Sequence, residues 1–358
     1  MPRVLVVNDY SLSDSWRAAR ERESPAHFLY GVDHLQAHGF DVDIVPDEES
    51  PWLAALDRRM GRLRIPFGSL DRQAGVLRRL ARADVIYAPC QTQIQTLTYL
   101  RAAGIVRVPI VCLAHHPLVR GRTGALIRPL IALMLRGLSA MPALSEAVAA
   151  EANALAHRPL ARALRWGPDH GFYPPAQYPG RGILAAGRTG RDFSTFGRAA
   201  TAASVAATIL TFRSAVTTEF SLFGPNVVVQ IPEAFVSYVE TTRMFAASRA
   251  LAIPMVAQDG LCGLTSLMDA LGAGKAVIMT RHPLIDIDIE ALGIGKWVEP
   301  GDVAGWIEAL RYFDDHPDAA VEMGRRARAL VDNGLNYHAF SEQIVGIIRS
   351  SLAGGAGG

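Results

Sequence analysis

The sequence predicts an α/β fold made of two domains, each with a parallel sheet covered by helices. Short apolar runs alternate with helical patterns along the whole chain, as in parallel sheets that carry helices on both faces. The chain has 358 residues, which is enough for two separate hydrophobic cores. A segment rich in proline and glycine, residues 171–180, divides the chain near its middle. Together these observations place one α/β domain on each side of the break.

The first half alternates predicted strands with helical segments. One helical pattern runs from Ala26 to His38 and ends at Gly39. Ligands of this fold class bind outside the carboxyl ends of strands, where Asn8-Asp9 and His115-His116 fall. The predicted strands are Val4–Val7, Val42–Val45, Val85–Ala88 and Ile110–Leu113.

The second half repeats this alternation and ends in a helical region, residues 303–350. Its predicted strands are Gly182–Ala186, Val227–Gln230, Ala250–Pro254 and Ala276–Met279. We therefore expect one domain over residues 1–175 and a second over residues 176–335. A helix over residues 336–352 is predicted to pack back on the first domain, and residues 353–358 are predicted to form a disordered, glycine-rich tail.

Composition narrows the class of protein. A formal net charge of +2 argues against general nucleic-acid binding. The cysteines Cys90, Cys112 and Cys262 are odd in number and lie in or beside apolar runs, which predicts reduced thiols and a cytoplasmic location. The run Arg3 to Val7 predicts a strand rather than a secretory signal.

The stretch from Met255 to Thr280 predicts a strand end, a glycine loop, a helix and a second strand. Gly263, Thr265 and Ser266 stand where the loop turns into the helix. A helix start offers unpaired backbone N–H groups and positive dipole density, which suit a phosphate. Asp269 follows one turn later, where it is placed to bind the hydroxyls of a ribose. An ordinary turn between a strand and a helix is the alternative interpretation.

Five short segments stand out in order along the chain: Leu144-Ser145-Glu146, Trp166 to Pro174, Gly187 to Asp192, Phe235 to Pro254, and Gly263 to Ile278. Together they resemble the GT-B glycosyltransferases, and most closely the retaining glycosyltransferase family 4. The last segment resembles the subgroup with Gly-x-Thr, because Leu261 stands where many relatives carry the first of two glutamates. A glycine pair common in the first loop of the family is also missing, and we expect the polar segment Ser11–Ser24 in its place to be mobile and to line the acceptor side.

The resemblance implies two Rossmann-like domains that face each other across a cleft. It further implies a metal-independent, retaining transferase that uses a nucleotide sugar, by default a UDP-sugar, and no other cofactor. The acceptor is expected to be a glycan, a lipid or a small molecule. Asp286-Ile287-Asp288 and Asp41-Val42-Asp43 imitate the metal-binding Asp-x-Asp of GT-A enzymes, but both are rejected because of their position in the fold.

The resemblance also assigns roles to single residues, each with a structural alternative. Arg188 and Arg191, after Gly187, are expected to neutralise the donor diphosphate, or else to belong to a solvated turn. Gly263, Leu264, Thr265 and Ser266 are expected to bind the phosphates, with a plain N-cap as the alternative for Thr265. Asp269 either binds ribose or is a helix-face aspartate paired with an arginine. His115 or His116 either contacts the transferred sugar or caps the end of a strand.

Two arginine-rich, apolar segments of the first half bear on the acceptor. Residues 53–82 hold eight arginines and two aspartates, and residues 118–141 hold four arginines and no acidic residue. Such a surface suits an anionic membrane, so a peripheral contact with the inner face of a membrane is one expectation. Two core helices that carry arginines on their exposed sides are the alternative.

Two other functions fit the same architecture. A nucleotide-sugar 2-epimerase needs acid and base carboxylates in the cleft, and the sequence shows no obvious set of them. An inactive nucleotide-sugar-binding protein is favoured by the missing glutamate and glycine pair, whereas the retained Arg188, Arg191 and Thr265 argue against it.

Overall fold

A computed structural model describes residues 1–46, 50–62, 67–121, 125–233 and 236–355. Phe235, Arg122 and the tail residues 356–358 lie outside the described residues, as do residues 63–66 of the first arginine-rich segment. The chain divides into two units. Unit 1 contains Met1–Glu21, Ala26–Trp166 and Tyr337–Gly358, and unit 2 contains Arg22–Pro25 and Gly167–Asn336.

Unit 1 is built around a parallel sheet in the order β2-β1-β3-β4. The bridges Val111–Ala140 and Ala114–Ala143 carry the sheet on to the pair β5-β6. The strands are β1 Arg3–Val6, β2 Asp41–Ile44, β3 Val85–Ala88, β4 Ile110–Cys112, β5 Met141–Ala143 and β6 Ala161–Ala163. The helices are α1 Leu12–Arg20, α2 Val32–Ala37, α3 Pro51–Arg62, α4 Leu70–Arg79, α5 Gln95–Ala102, α6 Arg128–Arg136, α7 Glu146–Ala156 and α13 Tyr337–Gly355.

Unit 2 has a second parallel sheet, in the order β12-β11-β10-β7-β8-β9. Its core joins Ile183 and Ile209 of the sheet to Phe196 and Trp306, whose rings meet edge to face at 5.5 Å. The strands are β7 Ile183–Ala186, β8 Ala207–Leu210, β9 Val227–Gln230, β10 Ala250–Ile253, β11 Ala276–Thr280 and β12 Gly295–Val298. The helices are α8 Phe193–Ala203, α9 Tyr238–Ala247, α10 Leu264–Gly272, α11 Val303–Asp315 and α12 Pro317–Asp332.

The helical pattern predicted from Ala26 to His38 is wrong in one respect, because the helix is broken. A 3₁₀ turn, Ala26–Leu29, precedes α2, and the two are separated by Tyr30 and Gly31. Both residues have positive φ angles, 49° and 86°, which end a right-handed helix. The break lets the backbone N–H of Gly31 donate to the Tyr337 hydroxyl of α13 at 2.9 Å.

The segment Ser11–Ser24, which was expected to be mobile, is helical for most of its length. Residues 12–20 form α1, and the Ser11 hydroxyl caps its start by accepting from the backbone N–H of Asp14 at 3.2 Å. Arg17 pairs with Asp14 one turn away at 2.8 Å. A capped helix with an ion pair along its exposed side accounts for the polar composition.

The structure places the boundary between the two halves at Trp166–Gly167, nine residues before the predicted position at 175/176. The long segment of unit 2, Gly167–Asn336, ends beside its own beginning, because the backbone of Gly167 packs directly on that of Asn336. Helix α13 belongs to unit 1 and continues to Gly355, so Ala353–Gly355 are helical where a disordered tail was predicted. A helix that is already formed gains one hydrogen bond for each residue that it adds, which favours this extension.

Candidate functional site

The strand order of unit 2 has a reversal between β7 and β10, where ligands of open parallel sheets bind. The loops that follow these two strands are tied together. Asp192 N donates to the Pro254 carbonyl at 3.1 Å, and Val256 N donates to the Gly190 carbonyl at 3.0 Å. The resulting antiparallel bridge between Arg191 and Met255 fixes both loops at the carboxyl edge of the sheet.

Gly187 is the first residue of the loop after β7, and its geometry excludes a side chain. Its φ of 142° is one that residues with a Cβ rarely adopt. A Cβ would also come within 2.7 Å of Arg191 Nη2 and closer still to Nε. The glycine therefore makes room for the Arg191 guanidinium against the backbone.

Three hydrogen bonds fix the guanidinium of Arg191. It donates to the carbonyls of Ala186 at 3.3 Å and Thr189 at 3.0 Å, and to the hydroxyl of Ser266 at 2.7 Å. Burial lowers the pKa of Arg191 from its ordinary value, while Cys262 and Asp269 oppose this shift. The result is a fixed, partly buried cation that links the loop after β7 to the start of α10.

Helix α10 starts at a glycine with left-handed backbone geometry. Gly263 has a φ of 82° and is the N-cap, so Thr265 is not the cap that the alternative interpretation required. The first helical hydrogen bond runs from Leu267 N to the Gly263 carbonyl at 2.9 Å. The N–H groups of Leu264, Thr265 and Ser266 precede this bond and point out of the helix end, as in helix N-termini that bind phosphate.

Arg188 takes a different direction from Arg191. Its exposed guanidinium lies 4.7 Å from the ring centre of Phe212, which follows β8. A guanidinium over an aromatic face is held by cation–π attraction and keeps its charge. The loop after β7 thus carries two cationic side chains, of which Arg191 is fixed and Arg188 is exposed.

Asp269 is buried in α10, and two tyrosine hydroxyls bind it. Tyr173 donates to Asp269 Oδ1 at 2.8 Å, and Tyr238 donates to the same oxygen. Burial raises the pKa of Asp269 from 3.8 to about 6, although both tyrosines and Arg191 act in the opposite direction. Among the described residues, the hydrogen-bond partners of the Asp269 carboxyl group are these two hydroxyl groups, rather than the arginine of the alternative interpretation.

His115 and His116 lie in unit 1, after β4, and Gln91 holds their backbone. Gln91 Oε1 accepts from the N–H groups of His115 at 2.5 Å and His116 at 3.1 Å, and Gln91 Nε2 donates to the His116 carbonyl at 2.7 Å. The His115 ring bonds the Pro89 carbonyl at 2.6 Å through Nε2. Among the described residues, His116 Nδ1 has no hydrogen-bond partner.

Burial lowers the pKa of both histidines, and that of His116 falls to about 4, with Arg120 and His115 contributing to the shift. Both rings are therefore neutral near pH 7, and a neutral imidazole can donate and accept. The ring of His115 is hydrogen-bonded to a carbonyl, whereas the Nδ1 atom of His116 is buried without a partner among the described residues.

Asn8 and Asp9 follow β1 in unit 1. Asn8 is 4% exposed, and its Oδ1 has no partner among the described residues. The carboxylate of Asp9 accepts from the Cys90 thiol at 3.3 Å, and burial and Asp9 raise the pKa of Cys90 to about 11. A thiol held protonated in this way is a weak nucleophile.

Within the described ranges, no group of three His, Cys, Asp or Glu side chains is placed to hold a metal ion. No described helix combines the length and the apolar character that a membrane span requires.

Solved structures match this architecture along nearly the whole chain. The protein is similar to HepE from Anabaena, which has been solved with UDP and glucose and also with UDP-glucose. For the structure with UDP and glucose, the identity is 16%, 98% of this chain and 100% of that chain are covered, and the TM-score is 0.70. It is similar to sucrose-phosphate synthase from Thermosynechococcus elongatus at 13% identity, with 99% and 100% covered and a TM-score of 0.72. It is also similar to α,α-trehalose-6-phosphate synthase from Burkholderia multivorans at 13% identity, with 99% of this chain and 100% of that chain covered and a TM-score of 0.65.

The chain has the GT-B fold. The predicted fold class of two Rossmann-like α/β domains is therefore confirmed. No protein-family model matches the sequence, and a search of curated protein sequences gives no match. At these identities the likeness establishes the fold.

In this GT-B chain, unit 2 brings several predicted site residues together. Arg191 contacts both Gly187 and Ser266, and Gly263, Leu264 and Thr265 form the adjacent helix start. Asp269 lies one turn further along α10. Arg188 belongs to the same loop but turns toward Phe212.

Sequence reasoning missed the residues that hold this site in place. Tyr173 and Tyr238 stand 96 and 31 positions from Asp269, so no local pattern connects them. Gln91 lies 24 residues before His115 and has no motif around it. The only available signal was that Tyr173 and Tyr238 lie in segments that carry the family resemblance.

Proposed function

We propose that this protein is a glycosyltransferase that moves a sugar from a nucleotide-sugar donor to a hydroxyl group of an acceptor. The observation that carries the proposal is the convergence of Gly187, Arg191 and the start of α10 at the reversal of strand order in unit 2. HepE, which has the same architecture, is solved with UDP and with UDP-glucose. That likeness supports a UDP-sugar as the default donor here.

In the proposed donor complex, the N–H groups at the start of α10 bind the diphosphate, and Arg191 and Arg188 balance its charge. Charge grows on the diphosphate as the glycosidic bond breaks, so fixed cations at that point lower the barrier. The arginines and the helix dipole meet this charge, and the proposal therefore assigns no metal ion. Asp269 is the proposed ribose contact.

The proposed reaction retains the anomeric configuration, as in glycosyltransferase family 4. The bond between the anomeric carbon and the leaving phosphate oxygen breaks, and a bond from the acceptor oxygen forms on the same face of the sugar. The acceptor proton passes to the leaving phosphate. The protein then supplies orientation and electrostatic stabilisation rather than a covalent intermediate.

One histidine after β4 is proposed to contact the transferred sugar. The hydrogen bond of His115 to Pro89 supports His116 in this role, because it engages the imidazole of His115. Its low pKa keeps the ring neutral at the pH of turnover.

The acceptor is proposed to be lipid-linked and to lie at an anionic membrane surface, because unit 1 exposes leucines beside arginines. Helix α6 and the turn before it leave Leu126, Leu130 and Leu133 80%, 40% and 36% exposed. Arg128 and Arg136 lie exposed on the same short segment. Leucines beside arginines suit the boundary between lipid tails and anionic headgroups.

Thermal unfolding with a panel of nucleoside diphosphates and nucleotide sugars tests the donor site. We expect one nucleotide family to raise the melting temperature, since a ligand at about 100 times its Kd adds about 2.7 kcal/mol to the free energy of unfolding. Arg191→Ala is expected to lose this shift. Arg198→Ala, which removes an exposed arginine of α8, is the matched control and is expected to keep it.

Product analysis with the stabilising nucleotide sugar then separates the three functions. Transfer to an added acceptor supports the proposal. Release of the 2-epimer indicates a nucleotide-sugar epimerase, and binding without turnover across acceptor classes indicates a binding protein. The absence of any thermal shift at millimolar nucleotide contradicts all three.

A further inference from the structure

A basic pocket of about 620 Å³ lies in unit 1, at the edge of the sheet where β4, β5 and β6 begin. This is the opposite edge from His115 and His116, which follow the carboxyl end of β4. As far as the described residues show, no aspartate or glutamate lines the pocket. Its lining includes four arginines, Arg101, Arg136, Arg158 and Arg162, together with Ser139 and residues of α13.

Backbone carbonyls hold two of these arginines in fixed positions. Arg101 donates to the carbonyls of Val108 at 2.9 Å and Gly137 at 3.0 Å. Arg158 donates to the carbonyls of Leu138 at 2.6 Å and Leu135 at 3.1 Å. These bonds satisfy N–H groups, but no acidic side chain among the described residues forms an ion pair with either arginine. Burial and the nearby charge of Arg158 lower the pKa of Arg101 from its ordinary value.

The other two arginines, Arg136 and Arg162, are exposed. The ion pairs found between described residues involve none of the four pocket arginines. Capping of the end of α6 explains three of the four hydrogen bonds of Arg101 and Arg158, because their acceptors are the carbonyls of Leu135, Gly137 and Leu138, while the fourth acceptor, the Val108 carbonyl, precedes β4. It does not explain why Arg136 and Arg162 join them around one cavity.

We propose that this pocket binds a phosphate group of a small metabolite or of a lipid headgroup. The planar guanidinium presents paired N–H donors that match phosphate oxygens, and it loses little hydration on binding. Like charges gathered in a cavity repel one another, and an anion that binds among them removes this cost. The pocket belongs to unit 1, so the inference does not depend on the donor site proposed for unit 2.

Calorimetric titration with pyrophosphate, in a buffer without phosphate, tests the free-ligand source. The native chain is expected to bind, and Arg136→Ala/Arg162→Ala is expected to weaken binding at least about tenfold, because hydrogen bonds between charged groups are lost. Arg59→Ala/Arg165→Ala removes two exposed arginines that do not line the pocket and is expected to bind as the native chain does. Arg191→Ala serves as a second control, since it impairs the proposed donor site but not this pocket.

Sedimentation with phosphatidylglycerol vesicles, and with phosphatidylcholine vesicles as the neutral control, tests the headgroup source. Binding to the anionic vesicles that falls in Arg162→Ala supports this source, because Arg162 lies on β6 and not on the exposed face of α6. The melting temperature of each variant without ligand verifies that it is folded. The proposal is overturned if the native chain binds neither probe, or if the pocket variants bind both probes as tightly as the native chain does.

Discussion

At the scale of single residues, the carboxyl group of Asp269 has the clearest consequence for stability. It is 5% exposed, and its raised pKa means that the folded chain binds a proton more tightly than the unfolded chain does. Stability linked to this group is therefore fully present below about pH 4 and is lost as the pH rises through about 6. Tyr173 and Tyr238 moderate the loss by donating to the ionised form.

We predict that Asp269→Asn stabilises the chain at neutral pH. The amide imitates the protonated acid and accepts from the same tyrosines, so the cost of a buried charge disappears. A shift from 3.8 to about 6 corresponds to a gain of up to about 3 kcal/mol at pH 7.5 that vanishes near pH 4. Urea unfolding of both chains at the two pH values measures it, and a difference that does not change with pH contradicts the prediction.

Asp269 also shows which features of the candidate site could be predicted from the sequence. The spacing of Asp269 from Gly263 on one helix is a local property, so its place one turn after the start of α10 was predictable. The tyrosines reach it from distant segments, and the depth of burial depends on the packing of the whole unit. No pattern in one sequence carries that information.

At the scale of elements, the loop after β7 depends on a glycine. Gly187→Ala is expected to destabilise unit 2 by about 1–3 kcal/mol, because alanine is strained at this φ and its methyl group meets Arg191. The matched control is Gly301→Ala, where φ is 73° and nothing lies within 4 Å of the added Cβ. Chemical unfolding of both variants measures the difference, and an equal loss would show that only backbone strain matters.

Strands were easier to predict than helix ends. The apolar runs that predicted β3 and β9 coincide with the strands. All four residues of β3 are buried, as in a strand covered on both faces, whereas β9 lies at the edge of its sheet and buries only Val227. The break at Tyr30-Gly31 was not predictable from periodicity, which continues across it. The tertiary contact of Gly31 with Tyr337 of α13, 306 positions away, accompanies that break.

At the scale of the whole molecule, the two units have separate cores, one around Leu5, Ile86 and Ile110 and the other around Ile183, Phe196 and Trp306. Chains with two such cores commonly unfold in more than one step. We predict two transitions in scanning calorimetry, of which a bound nucleotide raises only that of unit 2. Arg191→Ala is expected to remove this shift. A single transition, or equal shifts of both, contradicts the prediction.

The two ends of residues 167–336 have a consequence for the evolution and the engineering of this chain. Because Gly167 lies directly on Asn336, residues 167–336 begin and end at one point. A block of sequence with adjoining ends can be inserted into a gene, exchanged for a related block, or closed into a ring by a short peptide, with little change to its own fold. Under the proposed function, a new donor preference can therefore be acquired by recombination as well as by point substitution.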